Sequence, residues 1–214
     1  MDEDISAISV NTRNAKIINF FIKNKKKIIL ALSIIILLIF SYFILVEIKN
    51  RNKINIADRY NSLKINFDSG KNKNLEKEMI DIVYAKDKTY SPLALYFLIE
   101  NNIIDSKEKI NSLFDIVINE INLDKEIKNL VLYKQALYNS DFASENELLK
   151  ILNPIINSDS IWQSHSLYLL GEYFLSKNEN KKAKEFFEKI LILENSNPKI
   201  KLETQRIIQR DFSE

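Results

Sequence analysis

The chain has 214 residues, which accommodates one ordinary domain and a membrane segment and leaves no room for two large domains. Two glycines and three prolines are too few for the turns of an all-β fold, so composition favours helices. The net charge of +2 lacks the strongly basic field typical of nucleic-acid binding. Cysteine is absent, which excludes disulfides, thiolate catalysis and thiolate metal sites.

Residues 28–46 read IILALSIIILLIFSYFILV, a run without a charged side chain. As a helix this run is about 30 Å long, the thickness of the hydrocarbon core of a bilayer. A buried helix of a soluble protein is rarely apolar on every face for this length. A cleaved signal peptide has a shorter apolar region, and the residues after Val46 offer no cleavage site of small side chains. The sequence therefore predicts one uncleaved transmembrane helix at residues 28–46.

The orientation of this helix is predicted from its flanking charges, because lysine and arginine stay on the cytoplasmic side. Four lysines adjoin its N-terminal end: Lys23, Lys25, Lys26 and Lys27. The other flank also carries four basic residues: Lys49, Arg51, Lys53 and Arg59. The denser packing of the first set against the apolar run predicts that residues 1–27 form a cytoplasmic basic tail. Residues 47–214 are then expected in the periplasm of a bacterium.

The soluble part reads as a series of helix pairs. Residues 47–90 are predicted to hold a linking pair, Asn55 to Phe67 and Leu75 to Tyr84, around the turn Asp68-Ser69-Gly70. In residues 91–214, units begin near Ser91, Glu126 and Ile161. Their spacing of about 35 residues is close to the length of a tetratricopeptide repeat. We therefore predict an all-α protein in which a single N-terminal transmembrane helix precedes a tetratricopeptide-like helical-repeat solenoid.

The last unit has the clearest repeat framework, with the turn at Lys177-Asn178-Glu179-Asn180. Its framework residues are Leu167, Leu170, Gly171 and Phe174 on the first helix and Ala183, Phe187 and Ile190 on the second. Gly171 and Ala183 lack bulk, so the two helices are expected to approach closely while the larger side chains fill the flanking space. An amphipathic helix from about Pro198 is predicted to cap the stack.

Three further positions carry local predictions. Ser91 is expected to cap the first helix of its unit, with Pro92 at the first helical position. Pro154 predicts a kink or an early end in the second helix of the middle unit. Trp162 is expected to pack between successive repeats, the alternative being a platform for ligand stacking.

Sequence signals for catalysis are missing. Gly70 and Gly171 are the two glycines, so neither a P-loop nor a dinucleotide-binding glycine motif is present. The single histidine, His165, is predicted on a helix surface, and without cysteine a zinc site would rest on carboxylates. We expect no catalytic, cofactor-binding or metal-binding residue and no enzymatic activity.

In order, the chain has a basic tail containing INFFIKNKKK, an apolar helix, TYSPLALYFL in the first unit and LYLLGEYFLSKNENKKAKEFFEKIL in the last. This order resembles the YfgM-like family of bacterial inner-membrane proteins, which are ancillary subunits of the SecYEG translocon. The resemblance implies a periplasmic repeat domain that binds the translocon and chaperones receiving emerging proteins. It implies contact with lipid through one helix, and neither a nucleic acid nor a small-molecule substrate.

Two other functions fit the same sequence. One is a membrane-tethered repeat scaffold for another envelope process, such as cell division or outer-membrane assembly. The other is a regulator that acts through residues 1–27 by titrating a soluble partner. Neither alternative changes the predicted fold.

Overall fold

The structure, a computed structural model, describes residues 2–68 and 74–212. These residues form nine α-helices and no strand. The helices are α1 (Asp2–Asp68), α2 (Leu75–Tyr84), α3 (Tyr90–Glu100), α4 (Lys107–Asn119), α5 (Lys125–Asn139), α6 (Glu145–Ile156), α7 (Gln163–Ser176), α8 (Asn180–Ile192) and α9 (Pro198–Asp211). The all-α prediction is confirmed. Ser69 and Gly70 of the predicted first turn lie outside the described residues.

The chain divides into two compact units, Met1–Asn55 and Ile56–Glu214. The described part of the first unit belongs to α1 and contains the predicted membrane segment. The most apolar 18-residue window of this helix has a hydropathy of 3.1, and none of that window is buried. The described large apolar side chains from Ile29 to Val46 are 37–69% exposed. By length and composition, α1 is therefore an N-terminal helix able to cross a membrane.

The second unit contains two apolar cores. The end of α1 packs with α2, α3 and α4 around the first core, whose largest fully buried side chains include Met79, Ile82, Leu95 and Phe114. Helices α5 to α9 enclose the second core, whose largest fully buried side chains include Leu152, Leu170, Phe174 and Phe187.

Helix α5 belongs to both cores. Its Val131 lies in the first core and its Ala136 in the second, and Leu132 is partly buried against both. Each helix pair therefore covers apolar surface of the next, as expected for a repeat stack.

The helix positions follow the predicted repeat. The first helices of the three units begin at Tyr90, Lys125 and Gln163, within two residues of the expected starts. The predicted capping helix begins at Pro198, where Asn197 accepts hydrogen bonds from the backbone N–H groups of Lys199 and Ile200. Its apolar residues Ile200, Ile207 and Ile208, and Phe212 directly after it, pack in the second core.

The predicted cap at Ser91 is wrong. Helix α3 starts at Tyr90, two residues before the predicted start at Pro92, and the carboxylate of Asp87 accepts hydrogen bonds from the N–H groups of Thr89 and Tyr90, each at 2.8 Å. Ser91 is buried inside the helix, where its hydroxyl donates to the carbonyl oxygen of Ile82 at 2.8 Å. Pro92 accordingly occupies the third helical position instead of the first. An aspartate four residues upstream reaches the exposed N–H groups and takes the capping role.

Pro154 lies within α6, and the helix ends two residues later at Ile156. Proline has no N–H group to donate to the carbonyl oxygen of Lys150, so the hydrogen-bond ladder is interrupted in the last turn. Helix α6 thus continues past Pro154, and the predicted kink or early end at this residue stays a prediction.

Candidate functional site

The seven framework residues of the last unit come together between α7 and α8. All are buried, and the six with apolar side chains belong to the second core. Gly171 faces the ring of Phe187 so closely that an added Cβ would lie 2.5 Å from Phe187 Cε1 and 2.7 Å from Cζ. The absence of a side chain at Gly171 therefore determines the distance between the two helices.

The turn between these helices is closed by Asn178, whose φ of 61° is left-handed. The N–H of Asn178 donates to the carbonyl oxygen of Leu175 at 3.0 Å, and that of Glu179 donates to Phe174 at 2.9 Å. This is the Schellman arrangement, which terminates a helix and satisfies its last carbonyls. Asn102, with a φ of 48°, ends α3 in the same way. Asn180 is the first residue of α8, so the turn is one residue shorter than predicted.

The four lysines used to predict orientation, Lys23, Lys25, Lys26 and Lys27, are exposed on α1. They lie directly before the apolar run. Their side chains are thus available to the aqueous phase or to lipid headgroups. The exposure of these lysines does not distinguish the two sides of a membrane, so the cytoplasmic location of residues 1–27 stays a prediction.

Trp162 and His165 pack across two repeats. The ring of Trp162 stacks on Tyr133 of α5 with a centroid distance of 5.8 Å and an interplanar angle of 21°. The centroid of the His165 ring lies 5.1 Å from that of Trp162 and 5.9 Å from that of Tyr133. The position of Trp162 between repeats is as predicted.

The surface position predicted for His165 is wrong, because these two rings half-bury it. Burial lowers the pKa of His165. The neutral imidazole is favoured in the folded state.

An apolar groove lies between α3 and α5; we call it the α3–α5 groove. Its volume is about 210 Å³, and its lining includes Tyr96, Ile99, Phe114, Leu137 and Tyr138. The Nζ of Lys134 lies 5.5 Å from the centroid of the Tyr96 ring at the edge of the groove. The Tyr96 hydroxyl is buried and has no hydrogen-bond partner in the described part of the chain, and its burial raises its pKa.

A larger groove lies between α4 and α6, with α5 between them; we call it the α4–α6 groove. Its volume is about 620 Å³. Its lining combines apolar side chains such as Ile118 and Ile151 with the amides of Asn111, Gln135 and Asn139. It is thus an open, mixed apolar and polar surface of the size that binds small molecules or short peptide segments.

The repeat register explains why amides lie in this groove. Gln135 and Asn139 stand one repeat length, about 35 residues, before Leu170 and Phe174. Both amide residues are nevertheless buried, as their apolar counterparts are. The sequence prediction did not single out Gln135 or Asn139. A polar side chain at a framework position was the signal that would have identified them.

Metal binding has no candidate in the described ranges. No three or more side chains of His, Asp or Glu there lie close enough together to hold a metal ion. The grooves therefore offer hydrogen bonds and apolar contacts as their means of recognition.

The close approach at Gly171 yields a stability prediction. Gly171→Ala should lower the free energy of unfolding by about 1–3 kcal/mol, because the buried Phe187 ring has to move away from the new methyl group. Urea unfolding of the detergent-solubilised protein, followed by circular dichroism, measures this change. Adding Phe187→Leu should remove part of the penalty, so that the double variant is more stable than the sum of the single effects predicts. Strict additivity would show that the contact does not set the helix spacing.

The burial of His165 yields a pH prediction. In the folded protein the pKa of His165 lies below the ordinary value of 6.5. As the pH falls below 6.5, the unfolded chain therefore binds the proton before the folded protein does, and the free energy of unfolding should decrease. The His165→Gln variant has no imidazole and therefore lacks this pH-dependent contribution to the free energy of unfolding. The difference in free energy of unfolding, wild type minus variant, should therefore decrease between pH 7.5 and pH 5. A constant or increasing difference would contradict the burial of a neutral imidazole.

Comparison with known proteins gives no relative for this chain: no protein-family model, curated protein or solved structure matches it significantly.

Proposed function

We propose that this protein is a membrane-anchored scaffold that binds other proteins through its helical-repeat domain. The observation that carries the proposal is the combination, in one chain, of a helix able to cross a membrane and a repeat stack with two open grooves. Repeat stacks present extended surfaces suited to polypeptide partners. Anchoring raises the effective concentration of such a surface near membrane-bound partners.

We further propose that the membrane is the bacterial inner membrane and that the repeat domain lies in the periplasm. The dense lysine group before the apolar run supports this orientation. The partners proposed from the sequence resemblance are the Sec translocon and chaperones that receive proteins emerging from it. In this function the scaffold brings a chaperone and an emerging chain together and performs no chemistry itself.

The lining of the α3–α5 groove supports a protein partner. Tyrosine, phenylalanine, leucine and isoleucine supply large apolar contact areas, and Lys134 and Glu100 add one charge of each sign. Aromatic residues in a desolvated pocket contribute much of the binding free energy in protein interfaces.

Crosslinking in native membranes tests this function. A photoreactive residue placed at Leu137, which is exposed at the α3–α5 groove, should crosslink to translocon subunits or periplasmic chaperones. The matched control is the same residue placed at Leu202, an exposed position on α9. Mass spectrometry of the products should recover these partners from the first position in at least tenfold excess over the second.

Two outcomes would overturn the assignment. Recovery of cell-division or outer-membrane assembly proteins without any Sec subunit would assign the scaffold to another envelope process. Loss of all partners on deletion of residues 1–27, with membrane insertion preserved, would assign the function to the tail.

A further inference from the structure

A dense group of lysines lies at the N-terminal end of the apolar run in α1; we call it the lysine group. Its members are all exposed: Lys23, Lys25, Lys26 and Lys27. Residues 5–46 contain no Asp or Glu, so no carboxylate is close enough along the helix to neutralise these lysines. None of the four forms a salt bridge with a side chain that the structure describes. Their full positive charge is therefore available to an external partner.

The opposite end of the apolar run differs in charge. Residues 47–53 carry three basic side chains and one acidic side chain, whereas residues 23–27 carry four basic side chains and no acidic one. Glu47 pairs with Arg51, with 2.7 Å between the carboxylate Oε1 and the guanidinium Nε. Positive charge is thus denser, and less neutralised within the chain, at the N-terminal end of the run.

The lysines surround α1 instead of forming one face. With 3.6 residues per turn, Lys25 is rotated by about 200° from Lys23, and Lys26 and Lys27 complete the turn. The four positions span only about 6 Å along the helix axis. A folded protein contacts one side of a helix, whereas lipid headgroups surround a membrane-spanning helix at one level. The arrangement therefore fits a layer of headgroups.

The position of the lysine group along α1 agrees with this. It directly precedes the apolar run at residues 28–46, so in a membrane it lies where the hydrocarbon core meets the headgroups. Lysine stems are long and flexible enough to bring their ammonium groups to the headgroup phosphates. Phe20 and Ile22, on the other side of the group, are 62% and 68% exposed. Basic and large apolar side chains together are typical of a segment within the headgroup layer.

The chemistry of the headgroups indicates which lipids are favoured. A lysine ammonium is a compact charge with three donors, which binds the oxygens of a phosphate. Phosphatidylcholine carries its own cation beside the phosphate, whereas phosphatidylglycerol has a net negative charge. Clusters of basic residues next to a transmembrane helix accordingly attract anionic lipids.

We propose that the lysine group binds the headgroups of anionic phospholipids around the N-terminal end of α1. This inference rests on the membrane anchoring in the proposed function and adds the class of lipid that the anchor recruits. It holds for either orientation of the chain in the membrane.

The test uses the full chain with a fluorophore on Asn24→Cys, reconstituted in phosphatidylcholine vesicles. A small share of the lipid carries a nitroxide near its headgroup, on either phosphatidylglycerol or phosphatidylcholine, and quenches the fluorophore at short range. At equal mole fraction, the phosphatidylglycerol probe should quench about threefold more strongly, because the lysines concentrate it. The matched control is a fluorophore on Asn50→Cys, exposed at the opposite flank, where the two probes should differ much less.

Charge variants identify the lysines as the cause. Replacing all four by Gln should abolish the preference at Asn24→Cys, and replacing all four by Arg should retain it. The matched control replaces Lys49, Arg51 and Lys53 by Gln and should leave the preference unchanged.

Salt provides a second readout that leaves the lysines intact and so does not depend on insertion of the Gln variant. Raising the ionic strength screens the attraction between lysine and phosphate, and the preference at Asn24→Cys should decrease. Equal quenching by the two probes at low salt would overturn the proposal. A preference of equal size at both flanks, or one that persists in the Gln variant, would also overturn it.

Failure of this inference is separable from failure of the proposed function. If both probes quench the label at Asn24→Cys equally, the anchoring stands and the lipid assignment is wrong. If neither probe quenches a label at either flank, α1 is not inserted, and both the anchoring and the lipid assignment are wrong. Crosslinking at Leu137 reads out protein partners and is independent of the lipid probes.

Discussion

Helix α5 buries apolar side chains in two cores at once, and the stack depends on this double burial. Val131 completes the core formed with α2, α3 and α4, while Ala136 belongs to the core that extends to α9. Without α5, each core would expose an apolar face to water. Repeat proteins are stabilised by such interfaces between neighbours, since no single helix pair can bury its own apolar stripe. The position of α5 also creates the α4–α6 groove, because α5 packs against both helices and separates them.

The same helix carries the departure from the repeat framework. The last unit has Leu170 and Phe174 where α5 has Gln135 and Asn139, and burial is retained at all four positions. Asn139 is compensated by Asn111 and by the backbone, so its burial contributes to the joint between α4 and α5. Gln135 lines the open α4–α6 groove, where water reaches its side-chain amide.

Much of the fold could be predicted from periodicity because helix pairs of about 35 residues repeat their apolar positions. The close packing at Gly171 followed from the same pattern. The prediction failed where a distant or polar contact competes with the local one. Asp87 replaces Ser91 as the cap because its carboxylate accepts from the N–H groups at the start of α3, and His165 is half-buried because Tyr133 comes from another repeat. The two grooves could not be predicted from the sequence, because their positions depend on which helices pack against each other and which stay apart.

We propose that α1 anchors the chain in a membrane with the repeat domain on the non-cytoplasmic side, and this orientation is open to a direct test. Because the natural chain has no cysteine, single variants report directly on topology. The variant Asn24→Cys places a cysteine before the apolar run, and the variant Gln205→Cys places one on α9. The measurement is labelling by a membrane-impermeant maleimide in intact bacterial spheroplasts. The account predicts labelling of Gln205→Cys at once and of Asn24→Cys only after lysis, and the reverse pattern would contradict it.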